Sequence, residues 1–416
     1  MNLKQVIKKS LKRESFLFQT LYKTYRFGQD CLYSLMCHTS KLDERLVVFE
    51  AFQGRQYTCS PKALYLQMKA DPKYSDYRFV WVFTEEAAKR NPIADQRTQI
   101  VTYNTRAHHA VCARAGTIIT NSMPMGIIKL RPGQKLVETW HGTPLKRLGC
   151  DIQLDSNSVN TREEIHRRYR QRVSQLTHFL SPSDFYTEKL TSAFDLKGEG
   201  SRVKMIQQGY PRNDFLSRCT PEQARAIKAR LGLEEDKKLI LYAPTFRDDQ
   251  KLDKAYSYSF TLEMDFNHLL QTLGEEYVIL FRPHYFVASR FDFASYGGRV
   301  IDVSGVDDIN ELYVISDLLI TDYSSVFFDY AILQRPVLLF MYDLDRYQNQ
   351  LRDFYIDLKE LPFPILQTQQ QLEEAILDLF SQPFVLSEGY RAFNRTYTPM
   401  DDGEAAGRVL EALFPE

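Results

Sequence analysis

The sequence predicts two doubly wound α/β domains that face each other across a cleft. Short apolar runs alternate with helical stretches from about residue 45, and many of these runs are apolar throughout, as in parallel strands covered on both faces. The alternation pauses in a polar, charged stretch at about 217–237 and then starts again. A chain of 416 residues has room for two domains, each with its own core. We therefore expect a parallel sheet in each half and a ligand site between them.

The apolar runs give the predicted strands and domain limits. In the first half the strands are 46–49, 79–83, 99–101, 117–119, 136–137 and 178–180, and in the second half they are 239–242, 277–281, 300–301, 318–320 and 337–340. The chain then divides into a basic helical segment at 1–44 and two Rossmann-like domains at 45–216 and 217–416. A closing helix over about 402–413 is expected to pack back across the hinge.

The bulk composition excludes several classes of protein. Lys plus Arg and Asp plus Glu number 53 each, so the whole chain lacks the charge of a nucleic-acid-binding protein. Its six cysteines are scattered without a CxxC pair, which favours free thiols in a reducing compartment over disulfides or a zinc site. No apolar run approaches the roughly 20 residues that span a bilayer, and Glu14, Gln19 and Lys23 interrupt any signal-peptide core. We expect a cytosolic protein.

The first 26 residues predict a basic amphipathic helix. Apolar side chains recur at helical spacing, opposite Lys4, Lys8 and Lys12. Such a helix, with aromatic residues on its apolar side, can lie in an anionic membrane interface. It can equally dock on the protein's own core and leave the lysines in solvent, and the sequence leaves both alternatives open.

One histidine stands where a predicted strand of the first half ends. The run that closes at Trp140 is followed by His141, Gly142, Thr143 and Pro144. An imidazole there lies at the carboxyl edge of the sheet, where open α/β folds place their ligands. We expect Pro144 to open a helix that Thr143 caps, so that its amides can bind phosphate beside a titratable base. Taken alone, the motif is also compatible with a structural histidine.

Three motifs follow strands of the second half at the same kind of edge. They are Pro244-Thr245, Arg282-Pro283-His284 and Thr321-Asp322-Tyr323-Ser324-Ser325, with Asp329 one helical turn later. The serine hydroxyls and helix amides can hold a phosphate without a metal, and Arg282 can clamp its oxygens in a bidentate fork. Asp329 can accept hydrogen bonds from a ribose diol, and His284 can donate to a leaving phosphate. Together with His141, these motifs predict a site for phosphate chemistry.

Five motifs, in this order, resemble those of the CDP-glycerol glycerophosphotransferases, the primases and polymerases of wall teichoic acid. They are Trp-His-Gly-Thr-Pro-Leu-Lys (140–146), Gly-Tyr-Pro-Arg-Asn-Asp (209–214), Ala-Pro-Thr-Phe-Arg (243–247), Phe-Arg-Pro-His (281–284) and Thr-Asp-Tyr-Ser-Ser-Val (321–326). The resemblance extends from about Leu46 to the C-terminus. It implies a GT-B fold with the CDP donor on the second domain and the acceptor on the first. It also implies transfer of a polyol phosphate from CDP-glycerol or CDP-ribitol to a lipid-linked glycan acceptor, with release of CMP and without a cofactor.

By this resemblance, His141 and His284 are the catalytic histidines. The positions that it assigns to the CDP-polyol are Gly142, Thr143, Pro144, Arg212, Pro244, Thr245, Arg282, Pro283, Ser324, Ser325 and Asp329. An acceptor hydroxyl attacks the phosphorus that carries the glycerol, and CMP leaves. We assign removal of the hydroxyl proton to His141, a role worth about 10²–10⁴-fold in rate. The reverse assignment of the two histidines stays open, as do glycerol versus ribitol and primase versus polymerase.

An arginine-rich helix is predicted shortly after His141. Its cationic residues are Arg162, Arg167, Arg168, Arg170 and Arg172. They can form a solvated face or meet lipid phosphates and the pyrophosphate of the acceptor, and we favour the second. With the N-terminal helix, they predict a peripheral protein on an anionic membrane surface, at the cytoplasmic face of the cell membrane.

The sequence also contains one possible metal-binding pattern and is compatible with two other functions. Asp343-Leu344-Asp345 matches the DxD metal pattern of glycosyltransferases, but such pairs are common in loops and the site already carries cations, so we expect no metal. A GT-B glycosyltransferase that uses a nucleotide sugar would carry a similar serine cradle. A non-enzymatic membrane-associated protein that binds nucleotide or polymer is the third alternative. We expect no nucleic-acid partner, and the sequence leaves open whether the chain forms a homo-oligomer.

Overall fold

The computed structural model describes residues 16–123, 128–152, 161–245, 251–252, 257–258, 263–283, 291–344 and 353–415. Its strands are β1 (Asp43–Glu50), β2 (Arg78–Phe83), β3 (Thr98–Thr102), β4 (Ala115–Thr120), β5 (Lys135–Glu138), β6 (His178–Ser181), β7 (Lys204–Gln207), β8 (Lys238–Ala243), β9 (Lys251–Leu252), β10 (Ser257–Tyr258), β11 (Tyr277–Phe281), β12 (Val300–Asp302), β13 (Leu318–Thr321), β14 (Val337–Phe340) and β15 (Ile365–Leu366). Every strand predicted above is present. The sequence did not signal the edge strands β7 and β15, which are short and only partly buried.

The helices that the structure describes alternate with these strands. They are α1 (Phe16–Thr39), α2 (Cys59–Ala70), α3 (Glu85–Arg90), α4 (Arg106–Arg114), α5 (Arg162–Val173), α6 (Asp184–Ala193), α7 (Asp214–Arg218), α8 (Pro221–Arg230), α9 (Phe266–Leu273), α10 (Ile309–Ile315), α11 (Val326–Tyr330), α12 (Gln369–Ser381), α13 (Glu388–Tyr397) and α14 (Ala405–Leu413). The polar stretch between the two sheets contains α8, which begins at Pro221 and is capped by Thr220 in a capping box.

Two parallel sheets organise the molecule, as predicted. The first has the order β3-β2-β1-β4-β5-β6-β7, and the second has the order β12-β11-β8-β13-β14-β15. In each sheet the order reverses beside its first strand, between β1 and β4 and between β8 and β13. Open α/β sheets bind ligands in the crevice at such a reversal. The topology therefore gives each half one binding edge.

Each sheet is covered by apolar clusters on both faces. In the first sheet, Val48 and Ile118 face one cluster, while Val47 and Ile119 face the other. The second sheet has the same alternation, because successive side chains of a strand point to opposite faces. Burial on both faces explains why the strands are apolar throughout.

The last helix returns to the first domain, as expected for a closing helix that packs back across the hinge. Val409, Leu410 and Leu413 of α14 lie in the same core cluster as Phe49 of β1. The carboxylate of Asp214 accepts hydrogen bonds from the first two backbone N–H groups of α14. The span 217–416 therefore does not form one continuous domain, since α14 buries its apolar face against the first sheet rather than the second.

Helix α1 belongs partly to the core. Tyr33 is buried, and Met36 and Cys37 pack against the same cluster, which lies next to α4. Towards its N-terminus α1 exposes 40% of Leu21 and 70% of Phe27. The second half of this helix thus docks on the protein itself, whereas Lys4, Lys8 and Lys12 lie outside the described residues. Among the helices described, none is long and apolar enough to cross a bilayer.

Candidate active site

His141 lies just after β5, at the carboxyl edge of the first sheet. Its Nδ1 is 2.7 Å from the backbone carbonyl oxygen of Asn121, which follows β4. A carbonyl oxygen only accepts, so Nδ1 carries the proton and Nε2 keeps its lone pair. Burial, with a smaller contribution from the positive charge of Arg212, lowers the pKa of His141 to about 4. The imidazole is therefore neutral at pH 7 and can accept a proton at Nε2.

The turn that leads into His141 has an unusual backbone. Trp140 adopts a φ of 52°, in the left-handed region that bulky residues rarely occupy. Its N–H donates to the carboxyl of Glu138 at 2.8 Å, and its ring centroid lies 4.3 Å from that of His141. A side chain at the end of β5 thus holds the turn that presents the histidine.

The segment after His141 differs from the prediction. Residues 142–148, all of which the structure describes, form no helix at Pro144, and Thr143 is buried rather than capping one. We call these residues the strap, because they cross to the second domain. Leu145 is buried in the core of that domain, and its carbonyl oxygen accepts from the N–H of Tyr355 at 2.9 Å. The hydrogen bond to Tyr355 and the burial of Leu145 outweigh local helix formation. The predicted phosphate site at a helix N-terminus is therefore not formed at Pro144.

The strap brings Gly142 against Ser325 of the second domain. A Cβ atom on Gly142 would lie 2.6 Å from the Ser325 Oγ, well inside contact distance. A glycine therefore lets the histidine turn and the serine turn approach each other closely. The two predicted motifs, almost two hundred residues apart, meet at this point.

Among the described residues, two cavities meet at this contact, and His141 and Ser325 line both. The first cavity is about 190 Å³, and its walls include Phe52, Cys59, Arg212, Arg282, Asp307, Asp308 and Asp329. The second is about 260 Å³, and its walls include Gly142, Thr143, Pro144, Lys146, Thr245, Tyr323 and Ser324. Most of the predicted site residues therefore line one interdomain cleft, with the histidine between its two chambers, whereas Pro244 and Pro283 line neither cavity.

Arg212 and Asp329 form an ion pair between the two domains. Their side chains are 10% and 2% exposed, and the Asn213 amide donates to the other oxygen of Asp329 at 3.1 Å. Nη1 of Arg212 also donates to the backbone oxygen of His141 at 2.7 Å. Both oxygens of Asp329 already accept hydrogen bonds from the protein, while Asp329 also lines the first cavity, and its contact with a ribose stays a prediction. The pair connects the second domain to the turn at His141.

Arg282 and Pro283 directly follow the end of β11. Nη1 of Arg282 donates to the carbonyl oxygens of Val303 and Val306, at 3.0 and 2.8 Å. These bonds fix the guanidinium at the wall of the first cavity, and burial lowers its pKa from the usual value. Pro283 is buried beside it. His284 lies outside the described residues.

A hydrogen bond connects the segments that follow β8 and β13. The backbone N–H of Thr245, which follows Pro244, donates to Asp322 at 2.8 Å. Thr245 and Ser324 consequently line the same cavity. The motifs after these two strands thus lie at one cavity, and their common function stays a prediction.

The arginines predicted to contact the membrane lie outside this cleft. All five of these arginine side chains on α5 are exposed, namely Arg162, Arg167, Arg168, Arg170 and Arg172. Arg170 forms an ion pair with Asp195 at 2.5 Å. In the part of the chain that the structure describes, none of the five lines the two cavities.

Sequence reasoning missed the residues at the reversal of the first sheet. Asn121 follows β4, and its side-chain oxygen accepts from the N–H of Phe52, the second residue after β1, at 2.7 Å. Phe52 has a φ of 47°, and its ring centroid lies 5.3 Å from that of His141. A polar residue that directly follows an apolar run was the available signal for Asn121.

Contacts between the domains were also missed. Lys62 of α2 pairs with Asp308 at 2.8 Å, and the Asn91 amide donates to Asp307 at 2.9 Å. Both aspartates stand at the start of α10 and line the first cavity. Their partners are more than two hundred residues away, so no local pattern signals them.

The thiols and acidic side chains form no metal site among the described residues. All six cysteines are free, as predicted. Asp343 of the DxD pattern accepts from the Tyr323 hydroxyl at 3.1 Å, and Asp345 lies outside the described residues. Within the described residues, no group of three or more His, Cys, Asp and Glu side chains could hold a metal ion.

Sequence comparison relates the chain to teichoic acid enzymes. Residues 32–415 match the family model of CDP-Glycerol:Poly(glycerophosphate) glycerophosphotransferase. The chain is 36% identical over 411 residues to the teichoic acid poly(glycerol phosphate) polymerase of Bacillus subtilis (strain 168), a match that covers 98% of this chain and 52% of that protein. It is 35% identical to the teichoic acid glycerol-phosphate transferase of Staphylococcus aureus (strain NCTC 8325 / PS 47), covering 92% and 96%. The chain thus spans about half the length of the first relative and nearly all of the second.

Structural comparison gives the same relationship. The wall teichoic acid polymerase TagF superposes with a TM-score of 0.83 at 33% identity, covering 95% of this chain and 94% of that chain. The UDP-GlcNAc 2-epimerase of Neisseria meningitidis, at 10% identity and a TM-score of 0.51 over 88% and 99% of the two chains, shares the fold alone. The fold is the GT-B type that the resemblance implied. The chain belongs to the CDP-glycerol:poly(glycerophosphate) glycerophosphotransferase family.

Proposed function

We propose that this chain transfers glycerol phosphate, or a related polyol phosphate, from CDP-glycerol to a lipid-linked acceptor and releases CMP. The product would belong to teichoic acid or a related cell-surface polymer. The observation that carries the proposal is the placement of His141, a neutral imidazole with a free Nε2 lone pair at the junction of two interdomain cavities. A base held there can take the proton of an acceptor hydroxyl from one chamber while the donor phosphate occupies the cleft.

The second domain would supply the donor site. Hydroxyls of Ser324, Ser325 and Thr245 border the second cavity and can donate to phosphate oxygens. Arg282 contributes a fixed positive charge at the wall of the first cavity, which can stabilise the charge that grows on the departing CMP. We keep His284 as the proposed donor to that phosphate, on the strength of the motif alone. Gly142, Thr143, Pro144 and Pro283 would shape the walls.

Arg212 and Asp329 receive a different role in this proposal. Because Arg212 bonds to the backbone of His141 and to Asp329, the pair would hold the catalytic turn against the second domain. Any weakening of donor binding on loss of Asp329 would then follow from the displaced Arg212 rather than from a lost ribose contact.

Glycerol phosphate is the favoured cargo. The glycerol phosphate polymerase of Bacillus subtilis and the glycerol-phosphate transferase of Staphylococcus aureus named above match at 36% and 35% identity over most of this chain, whereas the teichoic acid poly(ribitol-phosphate) polymerase of Bacillus spizizenii (strain ATCC 23059 / NRRL B-14472 / W23) matches at 31% over 298 residues. A CDP-ribitol donor is the alternative that the assay below includes.

The lipid-linked acceptor would require work at a membrane surface. We propose peripheral attachment at the cytoplasmic face, through the N-terminal part of α1 and the arginine face of α5. Phe27 is 70% exposed on α1, and the α5 arginines project into solvent. Apolar side chains next to cations suit an anionic interface.

The test is product mass spectrometry with a lipid-linked acceptor and three donor classes, CDP-glycerol, CDP-ribitol and UDP-sugars. The expected product carries one or more added glycerol phosphate units, with CMP released in equal amount. A His141→Ala preparation serves as the control for contaminating transferases. UDP release with sugar addition, or nucleotide binding without any transfer, would replace the proposal with one of the two other functions considered above.

A further inference from the structure

A buried carboxyl lies directly behind the catalytic turn. Glu138 is the last residue of β5, pairs with Thr120 of β4 in the sheet register, and is completely buried. Its Oε1 accepts the backbone N–H of Trp140 at 2.8 Å. It does not line either cavity, among the residues described there, so it does not reach the space proposed for substrates.

The hydrogen bond from the Trp140 N–H to Glu138 holds the backbone where it turns away from the sheet. The sheet ladder ends at Thr139, whose N–H donates to Thr120 at 2.7 Å. Trp140 then turns into a left-handed conformation, with a φ of 52°, that a bulky residue keeps only when its surroundings enforce it. Its N–H is held by Glu138, and its carbonyl oxygen accepts from the Thr139 hydroxyl at 3.1 Å.

This turn determines where the imidazole lies. The indole ring packs against the imidazole with centroids 4.3 Å apart, and it also forms a T-shaped contact with the ring of Phe194, with centroids 4.8 Å apart. The strand direction, the indole and the Asn121 carbonyl together fix the ring of His141. A relaxed Trp140 would move the indole and, with it, the aromatic support of the base.

We infer that Glu138 is a positioning residue, whose carboxyl holds the Trp140 turn and thereby aims His141 into the cleft. The inference deepens the proposed phosphate transfer and, in its kinetic arm, rests on it. The residue acts through the backbone of its neighbour and does not touch the reacting atoms.

The carboxyl needs to accept a hydrogen bond, but it does not need a charge. Burial raises the pKa of Glu138 to about 8, so the group is mostly protonated at pH 7. Its Oε2 has no hydrogen-bond partner within the described residues. A glutamine of the same size keeps the accepting oxygen, whereas leucine removes it.

The kinetic arm compares Glu138→Gln with Glu138→Leu. We expect the glutamine variant to keep kcat within about threefold. The leucine variant should lose on the order of 10- to 100-fold in kcat, because small displacements of a catalytic group have effects of that size. Trp140 itself lines the second cavity, so the KM for CDP-glycerol should rise in Glu138→Leu as well, and the difference in kcat between the two variants is the deciding result. A leucine variant with the wild-type kcat, or a glutamine variant as impaired as the leucine variant, would overturn the inference.

The spectroscopic arm does not depend on activity. The chain has two tryptophans, Trp81 and Trp140, so a Trp81→Phe background leaves one reporter in the turn. We expect the near-ultraviolet circular dichroism of Trp140 to change in Glu138→Leu and to stay the same in Glu138→Gln. The matched control is Glu50→Leu, which removes another buried carboxyl from the same sheet edge, one paired with His108 instead of the turn. It should leave the Trp140 signal unchanged.

The two arms separate the possible failures. If the wild-type protein transfers no polyol phosphate, the proposed function fails, while the Trp140 signal still tests the turn. If the wild type is active and Glu138→Leu leaves both the Trp140 signal and kcat unchanged, the positioning role is wrong. Where far-ultraviolet circular dichroism shows that Glu138→Leu does not fold, Glu138→Met replaces it and the same outcomes apply.

Discussion

His141 shows how three neighbours set the chemistry of one side chain. The Asn121 carbonyl fixes its tautomer, Trp140 supports its ring, and Arg212 binds its backbone oxygen. Partial burial beside a cation keeps the imidazole uncharged. The result is a base whose lone pair is available at neutral pH without any proton having to leave first.

His141→Ala should remove most of the transfer activity and leave the fold intact. A loss of about 10²–10⁴-fold in kcat is expected for a general base, and His284→Ala should have an effect of similar size if it donates to the departing phosphate. Initial rates of CMP release measure both variants, with circular dichroism as the control for folding. Near wild-type turnover in either variant would remove that histidine from the mechanism.

The pH dependence of kcat/KM should report the shifted histidine. The pKa of His141 is lowered to about 4, so the base loses its lone pair only as the pH falls towards that value. We expect a plateau from about pH 7.5 down to pH 5.5 and a decline below pH 5, measured with CDP-glycerol and a soluble acceptor. Tryptophan fluorescence at each pH checks the fold. His141 binds a proton more readily in the unfolded chain than in the folded protein, so the protein also becomes less stable as the pH falls below about 6.5. An acid limb centred between pH 6 and 7 would contradict the assignment.

Asp329→Ala should destabilise the protein in addition to any effect on the donor. The substitution leaves the Arg212 charge buried without its partner, which typically reduces the free energy of unfolding by about 3–5 kcal/mol. Urea unfolding measures the loss. The double variant Arg212→Met/Asp329→Leu should recover most of that stability while remaining inactive. An Asp329→Ala protein of unchanged stability would show that the pair contributes nothing to the fold.

At the scale of elements, a few interdomain contacts determine the shape of the cleft. The strap pairs with residues around Tyr355, and α2 reaches the start of α10 through Lys62 and Asp308. The side chains of Lys62 and Asp308 are only 20% and 16% exposed, and Asp308 lines the first cavity. These contacts hold the two sheets at the separation that the cavities require.

A double-mutant cycle tests the contact between α2 and α10. Asp308 also caps α10 by accepting from Asn310, so Asp308→Asn keeps a capping side chain and loses only the charge. We expect Lys62→Met and Asp308→Asn each to raise the Kd for CDP-glycerol by about two- to fivefold, or about 0.5–1 kcal/mol. The double variant should be no weaker than either single one, because both remove the same pair.

The Kd of each variant for CDP-glycerol is measured by isothermal titration calorimetry. A matched control is the exposed pair Arg225 and Glu222 within α8, whose removal should leave the Kd unchanged. Additive effects of the two α2–α10 substitutions would mean that the pair is not coupled to donor binding.

At the scale of the whole molecule, balanced charge gives no long-range attraction to a polyanion, so membrane binding has to come from local patches. We expect sedimentation with anionic liposomes at low salt, less at high salt and little with zwitterionic liposomes. Each Lys or Arg near the surface contributes on the order of 1 kcal/mol, and salt screens it.

Deletion of residues 1–26 isolates the N-terminal contribution. It spares Tyr33, Met36 and Cys37, which dock α1 on the core, so the truncated protein should fold. Binding to anionic liposomes and turnover of a lipid-linked acceptor should fall, with a smaller effect on a soluble short-chain acceptor. Unchanged binding to anionic liposomes would show that residues 1–26 do not contribute to membrane binding and would leave α5 as the proposed contact.

The sequence by itself determined the two sheets, their strands and the edge at which the motifs lie. Apolar runs and their alternation are local signals, since a parallel strand buried on both faces must be apolar wherever it stands in the fold. For the same reason, the position of His141 after β5 and of Ser324 after β13 followed from the pattern. The order of the motifs was sufficient to indicate the family.

Only the tertiary structure decided what these residues contact. Arg212 and Asp329 are 117 positions apart, and neither pattern reveals that each is the other's partner. Burial of Leu145 in the second domain replaced the helix predicted at Pro144, and α14 joined the first core because its apolar face fits there. Such outcomes depend on packing and hydrogen bonding between distant segments, which compete with local preferences and prevail when they bury more surface or satisfy more backbone groups.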